Sequence, residues 1–178
     1  MKGIIFNLLE EAVVAEFGAD TWEDLLDDTG LDGAYTSLGS YNDAEIAALI
    51  TAASHRLNLS QSDVLQWFGQ RAMPLLKLRY GPLFNGHPDA RNFILSVNKI
   101  IHPEVRKLYA GAECPFFHFK EEPDGALILR YRSSRNLIDL AHGFILGAAD
   151  LWDETVNVLR YPENSPNSDT LVVRWVKA

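Results

Sequence analysis

Phe116-Phe117-His118-Phe119-Lys120-Glu121, Pro123-Asp124-Gly125 and Ala126-Leu127-Ile128-Leu129-Arg130-Tyr131-Arg132 together decide the fold of this chain. Two runs rich in aromatic and aliphatic residues flank a turn signal, so the stretch predicts a β-hairpin. Everything before it is written in a different period. From Ile4 to Phe17 the apolar residues Ile4, Ile5, Leu8, Leu9, Ala12, Val13 and Phe17 recur at helical spacing, with Glu10, Glu11 and Glu16 outside, the pattern of an amphipathic helix. A short second helix is expected from Trp22 to Leu26, ending in the acidic stretch Asp27 to Gly33. Asn42 with Glu45 three residues on is a capping box, opening a helix whose buried stripe is Ile46, Leu49, Ile50, Ala53 and Leu57. Ser60-Gln61-Ser62-Asp63 starts another helix through Val64, Leu65 and Phe68, which Pro74 is expected to kink or end. Pro88 suits the first turn of the next, whose apolar set is Phe93, Ile94, Val97, Ile100 and Ile101. Beyond the hairpin, Leu137 to Trp152 returns to helical period, and Thr155 to Tyr161 and Thr170 to Val176 read as strands around the polar loop Pro162 to Asp169. The order predicts an α+β protein, a helical N-terminal half joined to a mixed α/β C-terminal half.

With 178 residues, 47% of them hydrophobic, the chain can bury one substantial core. Sixteen Lys and Arg against twenty-four Asp and Glu leave a formal charge of -8, which argues against a general attraction to nucleic acid or anionic membrane. The start Lys2-Gly3-Ile4-Ile5-Phe6 runs into Asn7, Glu10 and Glu11, too polar for a secretory signal, and no apolar run reaches the ~18 residues of a spanning helix, so a cytoplasmic protein is expected. The single cysteine, Cys114, excludes an intrachain disulfide and any thiolate-rich metal cluster.

Few residues carry chemistry. Tyr131, Ser133 and Arg135 stand two apart, and in an extended segment they share a face on which Leu127 and Leu129 form an apolar floor. Two hydroxyls and a guanidinium there can hold a carboxylate, though the same spacing also suits an ordinary hairpin end. His102 sits between Ile100-Ile101 and Val105, Leu108, Tyr109, an apolar wall in which a neutral imidazole needs a partner. Iron is one such partner; a satisfied core histidine is the plainer reading. His55, His87 and His118 lie in polar or turn-like surroundings and His142 on a helix beside Ala141 and Gly143. Cys114 before Pro115 reads as a small buried hydrophobe, and neither a phosphate-binding glycine signature nor an acid-base pair or activated nucleophile emerges, so an enzyme is not expected.

Met1-Lys2-Gly3-Ile4-Ile5-Phe6-Asn7, His102 with Leu108-Tyr109, Pro115, and Tyr131-Arg132-Ser133-Ser134-Arg135 follow one another in an order and spacing that resembles the haem nitric-oxide/oxygen-binding (H-NOX) family, whose domain also stands at the sensory end of soluble guanylate cyclases. The resemblance implies one domain over 1–178, with a helical subregion of about 1–60 and a haem-enclosing mixed subregion of about 61–178. It also implies an antiparallel sheet, and haem b (iron protoporphyrin IX) buried between the two parts. It makes His102 the proximal iron ligand and gives the haem propionates to Tyr131, Ser133 and Arg135. Asp43, with Glu45 close behind, is the expected brace of Arg135, and Ile5 and Pro115 are the positions that press on the macrocycle.

Oxygen-binding members of that family carry a distal tyrosine, and Leu140 takes its place here; Leu9 and the Ala72-Met73 region stand where supporting polar groups are otherwise found. A distal pocket of Leu9, Leu76, Leu140 and Phe144 offers no donor to bound oxygen, so the expectation is a sensor of nitric oxide, with carbon monoxide also admitted. Signalling is expected to run through a shape change read by a separate protein, such as a histidine kinase or a cyclic-di-nucleotide enzyme. An oxygen-binding haem sensor and a haem-free small-molecule or interaction module on the same scaffold are the rival readings.

Overall fold

The computed structural model describes residues 1–163 and 168–176. Four helices come first: α1 (Gly3–Phe17), α2 (Ala19–Thr29), α3 (Asp43–Leu57) and α4 (Gln61–Arg79). The single-turn α5 (Gly81–Phe84) and α6 (Ala90–Ser96) follow, then a π turn (Val97–Ile101) and α7 (His102–Leu108). The hairpin β1 (Phe116–Glu121) and β2 (Leu127–Arg132), α8 (Ile138–Leu151), β3 (Val156–Pro162) and β4 (Ser168–Trp175) complete the chain. The strands form one antiparallel sheet in the order β1-β2-β4-β3, and the hairpin pairs Phe117 with Tyr131 and Phe119 with Leu129. The fold is α+β, and no described helix is long and apolar enough to cross a membrane.

Two cores hold it together. One joins α1 to α4 around Phe6, Leu8, Leu9, Leu49 and Phe68; the other lies between the sheet, α6 and α8 around Leu127, Leu129, Tyr131, Ile138 and Leu171. Leu76, Tyr80 and Phe144 touch both. The predicted capping box at Asn42 and Glu45 is formed, and Ser60 with Asp63 makes a second one at the head of α4, each satisfying two otherwise unpaired backbone N–H groups.

Several expectations need correction. α2 is eleven residues long, because Trp22 and Leu25 bury one face and Gly30, in the left-handed region, caps it only after Thr29. Pro88 precedes the true N-cap of α6, Asp89, whose carboxylate accepts from the Asn92 amide at 2.7 Å. The apolar run before His102 is not one helix, since the π turn interrupts it. β2 ends at Arg132, so Ser133 and Arg135 lie beyond the strand whose face Tyr131, Leu129 and Leu127 share. Of the polar loop Pro162 to Asp169, residues 164–167 lie outside the described residues.

Pro74 neither ends nor replaces a turn of α4, which runs five residues past it. Proline leaves the carbonyl four residues earlier without its donor. That carbonyl belongs to Gln70, and it lies against α8, where a Cβ on Gly147 would come within 2.7 Å of the oxygen. The two helices press backbone to backbone here, and a Cβ on Gly143 would stand 2.1 Å from the Gln66 oxygen. Helix propensity alone favours alanine over glycine by about 1 kcal/mol, but overpacking costs about 1 to 3 kcal/mol. Gly143→Ala is therefore expected to lower stability by up to about 2 kcal/mol net, read as a lower midpoint of urea unfolding.

Candidate functional site

Between the two cores lies a cavity of about 430 Å³, lined mainly by apolar side chains, within the size range of small-molecule and cofactor sites. α1 contributes Ile5 and Leu8, α4 Met73 and Leu76, α8 Leu140 and Phe144, and the hairpin Phe117, Leu129 and Tyr131. His102 opens into it from the first residue of α7, its ring 6.1 Å from that of Phe117 at an interplanar angle of 27°.

Burial, reinforced by the positive charge of Arg106, pushes the pKa of His102 down to about 4, and a hydrogen bond to the Pro115 backbone offsets this only in part. The imidazole is thus neutral near pH 7. A neutral ring keeps one nitrogen with a free lone pair, and that lone pair is what a metal-binding histidine offers.

The Tyr-x-Ser-x-Arg residues converge on the same cavity. Tyr131 is almost fully buried, and its hydroxyl oxygen accepts from the Leu137 amide at 3.0 Å. Ser133 Oγ accepts from the Arg135 amide at 3.2 Å. Arg135 donates Nε to Asp43 at 2.7 Å and Nη1 to the Glu113 carbonyl at 3.0 Å, with the Glu113 carboxylate at 3.1 Å. The Tyr131 and Ser133 hydroxyl protons and Arg135 Nη2 find no acceptor among the described residues. Three donors left over at one end of an apolar cavity fit a ligand that brings carboxylates.

Asp43, and not Glu45, is the partner of Arg135. Burial raises the Asp43 pKa, but hydrogen bonds from the Met1 amino group and from Arg135 more than reverse this, so the carboxyl lies below its ordinary value. Glu45 instead accepts from the Tyr35 hydroxyl at 3.0 Å and caps Asn42.

Ile5 and Pro115 both line the cavity, as do Leu76, Leu140 and Phe144. Leu9 does not. It is 1% exposed and packs in the helical core instead. Cys114 is half-buried on the cavity wall, and burial outweighs the nearby Arg106 and Arg135 in raising its pKa, which keeps it a thiol.

The sequence reading passed over one polar contact. Tyr80, at the end of α4, and Tyr109, just after α7, both line the cavity and join hydroxyl to hydroxyl. Burial and the Tyr80 hydroxyl both raise the pKa of Tyr109. Only the tyrosines themselves signalled this pair in the sequence, twenty-nine positions apart.

No group of three or more His, Cys, Asp or Glu side chains among the described residues is placed to hold a bare metal ion. An iron bound at His102 must therefore bring most of its own ligands, as a porphyrin does. The cavity, the neutral imidazole and the unspent donors fit haem.

Comparison with known proteins gives the same direction. A family model described as Haem-NO-binding matches residues 2–160. The structure of an H-NOX protein from S. oneidensis in the Fe(II)NO ligation state superposes with a TM-score of 0.92 at 30% identity, covering 99% of this chain and 100% of that one. An Fe(II) unliganded H-NOX protein from K. algicida shares the fold at a TM-score of 0.89 and 24% identity, covering 100% of this chain and 98% of its own. Soluble guanylate cyclase gcy-32 of Caenorhabditis elegans is 23% identical over 140 residues, which are 76% of this chain but only 20% of the cyclase. The chain thus spans about a fifth of the curated relatives' length.

The His102 pKa has a consequence for stability. Folded, the ring titrates near 4; unfolded, near its ordinary 6.5. Below pH 6.5 the unfolded chain binds a proton that the folded state refuses, so stability falls as the pH drops from 6.5 toward 4. Haem-free protein is expected to lose about 2 to 3 kcal/mol of stability from this source between pH 7 and pH 4.5. His102→Leu should flatten that part of the profile, measured as urea midpoint against pH.

Proposed function

This chain belongs to the haem-NO-binding (H-NOX) family of haem-based gas sensors, and on that footing we propose that it holds haem b through His102, senses nitric oxide, and passes the signal to a separate protein. The observation that carries this reading is the pairing, within one apolar cavity, of a buried neutral imidazole with three unspent donors.

Each residue has a part in it. His102, buried and neutral, would offer a ring nitrogen's lone pair to the iron. Tyr131, Ser133 and Arg135 donate to the two propionates. Arg135 is held from behind by Asp43 and Glu113, so its guanidinium is oriented before the carboxylates arrive. Ile5 and Pro115 set the shape of the slot. Haem, when bound, would supply a ferrous iron able to take a diatomic gas.

Leu76, Leu140 and Phe144 decide which gas. Bound oxygen draws negative charge and gains from a donor; nitric oxide needs one far less. A hydrogen bond to a charged group is worth about 1.5 to 3 kcal/mol, or one to two decades of affinity. A wall of hydrocarbon withholds that gain from oxygen, favours nitric oxide and admits carbon monoxide. Tyr80 and Tyr109 also line the cavity, and their mutual hydrogen bond uses one of the two hydroxyl protons. An oxygen sensor would need the other proton to reach the bound gas.

The output is a change in how the helical half sits on the α/β half. Such a change follows only if the gas binds the two shapes with different free energies, and a contact that strains or frees His102 provides that difference. By family resemblance the receiver is a histidine kinase or a cyclic-di-nucleotide enzyme; in the guanylate cyclases the matching region is a fraction of a larger protein.

Two substitutions test the assignment. His102→Gly is expected to abolish the ferrous histidine-haem absorption spectrum and to regain it when free imidazole is added; an unchanged spectrum without imidazole would remove His102 from its role. Leu140→Tyr places a phenol on the distal wall and is expected to raise oxygen affinity by about one to two decades, measured by oxygen titration of the reduced protein.

A further inference from the structure

Hydrogen bonds hold the segment that carries His102 at its ends, and between them Val97, Ile101 and Val105 pack only partly buried against the cores. Neither the π turn Val97–Ile101 nor α7 contains a fully buried residue, and no side chain caps the N-terminus of α7. At one end, Asn98 exchanges two hydrogen bonds with the Phe117 backbone, at 2.5 and 3.2 Å, tying the turn to β1. At the other, Tyr109 is 7% exposed within the helical core and meets the Tyr80 hydroxyl at the end of α4. Among the described residues this is the one side-chain hydrogen bond that links residues 97–115 directly to residues 1–80, through the C-cap of α4.

The π turn gives this arrangement a joint. It accommodates one more residue than an α-helical turn, and such turns occur mostly as single insertions at functional sites. Converting it to α geometry would rotate the helix that follows by about 100°. His102 is the first residue of that helix, so this rotation would carry the imidazole off its present line into the cavity.

We propose that the Tyr80–Tyr109 hydroxyl pair positions His102: it fixes the far end of α7 against α4, with the π turn as the joint at the near end, and so sets how readily the imidazole leaves the haem. This rests on the reading of His102 as the iron's protein ligand. Tyr80 and Tyr109 are positioning residues, acting on the iron only through the histidine.

The test uses Tyr80→Phe, Tyr109→Phe and the double variant, each of which keeps the ring and removes the hydroxyl. In the reduced, haem-loaded protein, amide hydrogen exchange over residues 104–109 is expected to quicken about three- to tenfold in each single variant. The double variant should be no faster than either single, because all three lack the same bond. After nitric oxide is added, the ratio of histidine-released to histidine-retained protein, read from the Soret band, is expected to rise about three- to tenfold. Unchanged exchange and an unchanged ratio in both single variants would overturn the proposal. So would additive effects in the double variant, or faster exchange spread equally over α1 to α3. If Tyr109→Phe does not fold, Tyr80→Phe makes the same comparison from the less buried partner. If the wild-type protein shows no histidine-haem spectrum, it is the ligand assignment that falls, and the exchange comparison still decides whether the tyrosine pair holds α7.

Discussion

A buried imidazole facing an apolar cavity is the constraint on which this structure turns. A chain selected only for close packing would fill a space of about 430 Å³ with its own side chains. This chain instead holds the space open between α1, α4, α7, α8 and the hairpin. Into this space it points a ring whose charged form is disfavoured and whose neutral form has a lone pair to share. The architecture suits a flat, apolar occupant that binds nitrogen at its centre and carries negative charge at its edge.

The charged edge also explains how one occupant can reach both halves of the fold. Arg135 lies between β2 and α8, yet it is held by Asp43 at the head of α3 and by Glu113 in the loop after α7. A carboxylate taken up by Arg135 therefore adds to a network already joining the helical half, the His102 segment and the sheet. His102 reaches the centre of the same cavity from α7. Displacement at either point is felt through short polar links, in a segment with little buried surface of its own to resist it.

What the sequence disclosed depended on how local the cause was. Helix α1, the Asn42 capping box and the hairpin around Pro123-Asp124-Gly125 are written in neighbouring residues, and all three stand where the pattern puts them. Pro74 misled because its effect is set by another helix, whose Gly147 lies against the carbonyl that the proline leaves unpaired. The π turn has no periodicity of its own and was hidden inside an apolar run. Convergence of Tyr131, Ser133 and Arg135 was legible, although only Tyr131 belongs to a strand. The pairing of Asp43 with Arg135, ninety-two positions apart, came from family resemblance, and the resemblance also suggested Leu9 for the cavity, whereas Leu9 packs in the helical core. Tyr80 and Tyr109 meet only through the folded chain.

Absorption spectroscopy of the anaerobically reduced, haem-loaded protein, exposed first to air-level oxygen and then to nitric oxide, tests the central claim most directly. A histidine-ligated ferrous spectrum that forms no oxygen complex on the first addition and shifts on the second is the predicted result. Haem that is not taken up at all, or a stable ferrous-oxygen spectrum in air, would contradict it.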